Sequence, residues 1–349
     1  VELIDLGWDA AWEAAFEPHA QAGCRPARVI TEHRGELELA AAGGPVRAGL
    51  AGRMRHAAVD ARGLPAVGDW VAFTGAPGTA TVRALLPRRS VFVRLAAGAE
   101  TLPQVLAANV DVVLVAMALD ADYSLERLQR YLTLAWESGA QPQIVLTKAD
   151  LCADVEAATG AVSAAVYGVP VTVTEARRPE TFRPVAALFS GGRTGVVLGS
   201  SGVGKSTMIN HLLGESRQAV AAIAADGTGR HTTTARHLLA VPGGGCVIDT
   251  PGLREVQLWG TGDGVEAAFE DVELLAAECR FRDCAHESEP GCAVKAAIAS
   301  GGLDCERLTS YRKLQRELRH LELKNDARGR ALERKRWAQI NKDARTTSW

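Results

Sequence analysis

No apolar run in this 349-residue chain is long enough to cross a bilayer. The longest, Val112 to Leu119, spans eight residues, whereas a spanning helix takes about 18, so a helical membrane protein is excluded and a soluble one is expected. Val1 to Trp12 carry Glu2, Asp5 and Asp9 and place no basic segment ahead of an apolar core. A secretion signal is therefore not expected, and the cytoplasm is the default location. Cysteine is sparse and odd in number: Cys24, Cys152, Cys246, Cys279, Cys284, Cys292 and Cys305, three of them within fourteen residues. Without a disulfide-type spacing, reduced thiols plus one metal cluster fit best.

What is present is ordinary globular material. Apolar residues at 47% and charged residues at 23% exclude wholesale disorder and a fibre, and the length gives room for two to three domains. The net charge of −2 is unevenly spread. From Gly23 to Ala97 eleven Arg or Lys stand against five acids, and from Arg307 to Arg345 thirteen against five, leaving an acidic middle. Two basic ends suit a polyanion gripped at two places, as nucleic acid would be, although a solvated charged helix is the plainer reading of the tail.

Five short β-rich runs, Val29 to Thr31, Glu36 to Ala40, Val46 to Leu50, Asp69 to Phe73 and Thr79 to Leu85, predict a small barrel, with an Arg-rich loop, Arg53 to Arg62, between the third and fourth where an OB-type barrel presents basic groups to RNA; a structural barrel with an incidental Arg surface is the plainer alternative. From about Leu102 to Leu258 apolar strands alternate with helical stretches, which predicts an α/β sheet: Val110 to Leu119, Gln143 to Leu146, Val169 to Val173, Gly195 to Leu198 and Gly245 to Ile248 as strands, Leu125 to Ser138 as a helix. Past Gly260 strand signals stop and charged helical sequence takes over.

Gly199-Ser200-Ser201-Gly202-Val203-Gly204-Lys205-Ser206 fits G-x-x-x-x-G-K-[ST] between an apolar run and the helical stretch Thr207 to Leu213. Its glycines allow backbone N–H groups to converge on phosphates, Lys205 neutralises the β and γ oxygens, and Ser206 offers a hydroxyl to Mg²⁺. Asp249-Thr-Pro-Gly252 follows the last apolar strand and places a carboxylate for the metal's water shell and a glycine N–H for a γ-phosphate. Thr147-Lys148-Ala149-Asp150 closes another strand. A carboxylate there accepts two N–H groups of guanine while the lysine stem lies along the base, which selects GTP over ATP. The base-side motif precedes the phosphate loop by about fifty residues, the reverse of ordinary GTPases, and a circular permutation accounts for this without moving any group in space. A P-loop kinase or ATPase is the weaker alternative.

Cys279-x4-Cys284-x-His286-x5-Cys292 offers three thiolates and an imidazole. Four protein donors suit a closed tetrahedral Zn²⁺ site with a structural role; unrelated reduced cysteines are the plainer alternative. Cys246 is expected in the core and Cys305 is a spare thiol.

The permuted order, the Cys3His spacing, the barrel and the run Gly229-Arg-His231-Thr-Thr233-Thr234 together resemble the ribosome small-subunit-dependent GTPase A family, from about Gly23 to Arg319. The resemblance implies a multidomain protein: an N-terminal β-barrel (OB-fold), an α/β P-loop GTPase domain with circularly permuted motif order, and a mainly helical zinc-binding domain. The corresponding spans are 1–100, 101–260 and 261–349. It also implies late assembly of the small ribosomal subunit, with GTP hydrolysis stimulated by that subunit and used for release. Carried over by position, Thr147, Lys148, Ala149 and Asp150 meet guanine, and Gly199 to Thr207 cradles phosphates. Asp249 and Gly252 sense metal and γ-phosphate, Thr234 or Thr233 is the switch threonine on Mg²⁺, and Cys279, Cys284, His286 and Cys292 bind one Zn²⁺. Expected partners are GTP or GDP and the small subunit with its ribosomal RNA, with the chain acting as a monomer and without a membrane.

Three departures stand out. Thr147 replaces the more usual Asn and loses one possible contact to the base. Thr174-Glu-Ala176 is the nearest match to the usual Ser-Ala element behind the base. Leu253 follows Gly252 where many GTPases carry a water-orienting Gln. Slow intrinsic turnover is therefore expected, with His231 as a candidate for positioning the water; the alternative is an RNA-binding assembly module that uses GTP as a structural switch without relevant turnover.

Overall fold

A computed structural model of the chain describes residues 2–33, 35–58, 61–95, 103–214, 236–249 and 262–321. The chain forms two compact units, Val1–Gln257 and Leu258–Trp349.

The first unit opens with helix α1 (Ala10–Gln21), started by Asp9, whose carboxylate accepts from the backbone N–H groups of Ala11 and Trp12 at 3.0 Å. Trp12 and Phe16, four residues apart, bury one face of it. Strands β1 (Arg25–His33), β2 (Glu36–Ala41), β3 (Gly44–Leu50), β4 (Trp70–Thr74) and β5 (Ala80–Leu85) then close into a barrel ordered β1-β2-β3-β5-β4. The β3–β5 pair is parallel and the other pairings are antiparallel. That is the expected OB-type barrel. Its interior is filled by Val29, Leu39, Val71, Phe73 and Val82, which are fully buried. The Arg-rich stretch after β3, expected as a loop, instead begins as a short helix, α2 (Gly52–Ala57).

An antiparallel pair, β6 (Val91–Leu95) and β7 (Pro103–Ala108), leads into a six-stranded sheet. Along the chain come β8 (Val112–Ala118), α3 (Leu125–Glu137), β9 (Gln141–Thr147), α4 (Val155–Ala165), β10 (Val171–Val173), α5 (Arg183–Ala187), β11 (Thr194–Leu198), α6 (Lys205–Leu213), β12 (His237–Ala240) and β13 (Cys246–Asp249). The sheet order is β10-β9-β8-β11-β13-β12, parallel except for β12 at the edge. Every residue of β8 is buried. A strand flanked on both sides and covered on both faces reads as an unbroken apolar run, which is why Val112 to Leu119 dominates the hydropathy of the sequence.

Barrel and sheet meet at Arg28, a guanidinium only 2% exposed. Its Nε donates to Gly68 O at 3.1 Å, Nη2 to Asn109 O at 3.1 Å and Nη1 to Leu6 O, and its plane lies over Trp70. Asn109 Nδ2 donates to the same Gly68 carbonyl at 3.2 Å. Gly68 sits at φ 93°, and a Cβ there would come within 2.2 Å of Ala108 O, so only glycine allows the barrel loop this close to β7.

In the second unit the regular elements among the described residues are helices: α7 (Asp263–Ala268), α8 (Glu270–Ala277), α9 (Ala293–Ala299) and a helix α10 over 305–321, with turns and bends over 279–292. Arg307 ties α10 to α8 through Asp271 at 2.5 and 2.6 Å, and Tyr311 donates to Glu273 at 2.5 Å above the fully buried Phe269. Among the described residues no helix is long and apolar enough to cross a membrane.

Candidate nucleotide site and metal centre

The three phosphate- and base-type motifs leave the carboxyl ends of β9, β11 and β13, all on one edge of the parallel sheet. Ligands of open α/β sheets bind on that edge. The loop after β11 turns through Gly199 (φ 149°), Gly202 (φ 78°) and Gly204 (φ 103°) before α6 begins at Lys205. At Gly199 a Cβ would approach Ala116 O to 2.6 Å, so the loop can hug β8 only with glycine there. Ser201, Gly202, Ser206 and Thr207 are exposed, while Val203 plugs into the core. Lys205 Nζ folds back on the loop, donating to Gly199 O at 2.7 Å and to Ser200 O.

Thr147, at the end of β9, is buried, and its hydroxyl donates to Val203 O at 2.6 Å. The base-side strand is thereby bonded to the phosphate loop. Beside the base contact that the Thr in place of Asn gives up, its hydroxyl supplies a link between the two motifs. Lys148 follows in a left-handed conformation (φ 56°), and its Nζ lies 2.7 Å from Asp120 Oδ2; the bond to Lys148 holds the Asp120 carboxyl below its usual range. Ala149 and Asp150 open a single 3-10 turn, with Asp150 exposed. Ala149 N donates to Thr174 O at 3.4 Å and Thr174 N to Leu146 O at 2.7 Å, so the Thr174 to Ala176 segment does stand beside the base-side motif. Asp249 ends β13, exposed, with His237 of β12 as its cross-strand partner. Burial, with His33 of the barrel adding to it, pushes His237 below its ordinary value. His231, Thr233, Thr234, Gly252 and Leu253 lie outside the described residues, as does the basic stretch past Arg328.

Sequence reasoning missed the turn after β8. Asp120 grips Lys148, and two residues on Asp122 accepts from the Ser200 hydroxyl of the phosphate loop while pairing with Arg127 at 2.8 Å. The available signal was an Asp-x-Asp at the carboxyl end of the most apolar strand, on the edge where the other motifs sit.

In the second unit Cys279, Cys284, His286 and Cys292 bring their donor atoms within 4.8 Å of one another. Cys279 Sγ and Cys292 Sγ are 3.9 Å apart, and His286 Nδ1 is 3.6 and 3.5 Å from them. Tetrahedral edges built from Zn–S of about 2.3 Å and Zn–N of about 2.0 Å have much these lengths. His286 is buried at φ 60°, and burial together with Arg312 holds its imidazole below the usual value, favouring the neutral form that a ligand must have. The cluster can hold a metal ion. Cys246 is buried in the sheet and Cys305 exposed, as expected.

A glycine-bent phosphate loop on a parallel sheet, with the base-side motif ahead of it in the chain, defines a circularly permuted P-loop nucleotide-binding protein. The RsgA GTPase family matches residues 85–259. A Streptomyces coelicolor protein described as small ribosomal subunit biogenesis GTPase RsgA is 50% identical over 96% of this chain and 92% of its own length. One of the same description from Opitutus terrae is 46% identical over 97% and 95%. The fold is also that of YjeQ from Thermotoga maritima (TM-score 0.64, 24% identity, 84% of this chain and 98% of that one). A second structure, YloQ, described as a circularly permuted GTPase, has TM-score 0.64 at 23% identity, with 85% and 96% covered. The chain belongs to the RsgA GTPase family.

Proposed function

We propose that the chain binds and hydrolyses GTP during late assembly of the small ribosomal subunit in the cytoplasm, as a monomer, with hydrolysis stimulated by the subunit and coupled to release. The observation that supports this most is the Thr147–Val203 hydrogen bond, which ties the segment read as the base-side loop to the one read as the phosphate loop; the relatives' description as small-subunit biogenesis GTPases suggests the partner.

In this reading Asp150 accepts from guanine, Lys148 and Ala149 flank the ring, and Thr147 holds the phosphate loop behind it. The backbone from Gly199 through Ser200, Ser201, Gly202, Val203 and Gly204 to Thr207 cradles the phosphates at the start of α6. Lys205 exchanges the carbonyls of Gly199 and Ser200 for phosphate oxygens. Mg²⁺ bound with GTP neutralises charge developing on those oxygens; the Ser206 hydroxyl and the Asp249 carboxylate are the groups offered to it. Gly252 would sense the γ-phosphate, Thr234 or Thr233 would be a further ligand to Mg²⁺, and His231 would position water in place of the Gln that Leu253 replaces. Zn²⁺ held by Cys279, Cys284, His286 and Cys292 has a structural role, since all four positions are filled by protein. The basic barrel and C-terminal segment bind ribosomal RNA through phosphates, so affinity falls steeply with salt.

The test is GTP turnover by the full chain with isolated small subunits, with large subunits as control. Stimulation confined to small subunits is the expected result. Tight GTP-dependent binding to small subunits without stimulation would replace hydrolysis with a structural switch, and no binding at all would overturn the partner.

A further inference from the structure

We propose that Asp120 is a positioning residue of the nucleotide site, fixing Lys148 so that a guanine ring meets a preset lysine stem. The proposal rests on the reading of Lys148 and Asp150 as the base-side residues.

Lysine carries a long flexible stem, and a free one must be ordered each time a ring settles against it. Here the ordering is done in advance. Lys148 Nζ lies 2.7 Å from Asp120 Oδ2, across 28 residues of chain. Asp120 is itself held: its Oδ1 accepts from Asp122 N at 2.9 Å and its carbonyl from Tyr123 N at 3.0 Å. One residue earlier, Leu119 N donates to Thr147 O at 2.9 Å. The turn after β8 therefore grips the Thr147–Lys148 segment twice, once through backbone and once through charge.

The ion pair is partly exposed, at 32% and 23% for its two side chains. Pairs of that exposure add little to fold stability, so a role limited to stability leaves it almost silent. Its location gives it another consequence. A lone carboxylate on the edge that receives a polyphosphate repels the ligand. Asp120 is neutralised by Lys148, and Asp122, on the phosphate-loop side, is neutralised by Arg127 while it accepts from Ser200. One short turn thus braces both halves of the site and presents little net charge to the nucleotide.

Affinities of the full chain for GTP, GDP and ATP, with turnover kinetics, test this in a double-mutant cycle. Asp120→Ala is expected to weaken GTP and GDP equally, by about three- to tenfold, raising KM while kcat at saturation stays unchanged. In a Lys148→Ala background the same substitution is expected to change nothing further. In an Asp150→Asn background, offered xanthosine triphosphate in place of GTP, it should again weaken binding by the same factor, because it acts through the lysine and not through the base-reading carboxylate. Additive losses in the cycle, an unchanged single variant, or a fall in kcat with affinity intact would overturn the proposal. If Asp120→Ala does not fold, Asp120→Asn, which keeps the acceptor for Asp122 N, carries the same cycle. Failure of the underlying reading shows separately, as a wild-type protein that does not prefer GTP to ATP.

Discussion

Thr147 and Val203 stand 56 residues apart in the chain and 2.6 Å apart in space, hydroxyl to carbonyl. The bond is buried and joins the two loops that, in the proposed function, a nucleotide bridges. In a permuted domain the base-side strand is made before the phosphate loop, so this contact between β9 and the turn after β11 restores what chain order separates.

Removing that hydroxyl should therefore be felt on both sides of the nucleotide. Thr147→Val is expected to cost about 1 to 2 kcal/mol, because Val203 O is left buried without its donor. That cost falls on the fold, and the part of it that the bound state feels more than the free one weakens GTP and GDP alike, up to about tenfold per 1.4 kcal/mol. Thr147→Asn, which retains a donor, should lose less. Equal affinities of wild type and Thr147→Val for a fluorescent GDP would show that the link is dispensable.

One metal ion per chain is expected to copurify with the protein, and Cys284→Ala should release it where Cys305→Ala does not. Chelation should unfold the second unit selectively, since the short segment carrying the four ligands has little other core. Elemental analysis identifies the metal as zinc or not, and far-UV dichroism follows the helices α7 to α10. Acid should act in the same direction as chelator, because protons compete for three thiolates and an imidazole.

The motifs were legible because each is a short local run: the phosphate loop, Asp249 at the end of β13, the Cys3His cluster and the five barrel strands sit where the sequence places them, with strand ends moved by a few residues. Three things were not. Strand β12 is four residues, His-Leu-Leu-Ala, and only its pairing with β13 makes it a strand. Residues β6 and β7 pair across a gap in sequence that periodicity does not span. Asp120, Asp122 and Arg28 were invisible for a common reason: each has a partner more than twenty residues away that is a lysine tip, a serine hydroxyl or a backbone carbonyl, none of which leaves a pattern in the residues nearby.

Acid stability offers a check on the N-terminal helix. Asp9 caps α1 and pairs with both terminal nitrogens of Arg89 at 2.7 Å, and mainly the bond from Arg89 lowers its carboxyl from 3.8 to about 2. A depressed folded-state value means that the contribution is complete above the unfolded value and is lost as pH falls through the folded one. The stability difference between wild type and Asp9→Asn, followed by urea titration, should stay constant above about pH 5 and shrink between about pH 4 and 2. Its size is small, since the pair is nearly half exposed. A difference that persists unchanged at about pH 2 would show that the cap and pair do not require the charge.

Arg28→Leu is expected to destabilise the first unit by about 3 kcal/mol or more, because charge-assisted bonds to three backbone carbonyls are lost together inside the protein. Arg28→Lys should recover only part of that, an ammonium having no planar fork to reach Gly68 and Asn109 at once. Thermal melting compares the three; a lysine variant as stable as wild type would refute the geometric account.

Arg28 also bears on how far the chain can be taken apart. Its strand belongs to the barrel, yet the carbonyl of Asn109 that it grips introduces the nucleotide-binding sheet, and Gly68 of the barrel nests against Ala108. A barrel expressed as a fragment ending at Leu95 would keep a guanidinium with one of its three carbonyl acceptors, that of Asn109, left in the other piece. The barrel is consequently not a detachable cassette: grafting it onto another protein requires β7 and Asn109 to travel with it.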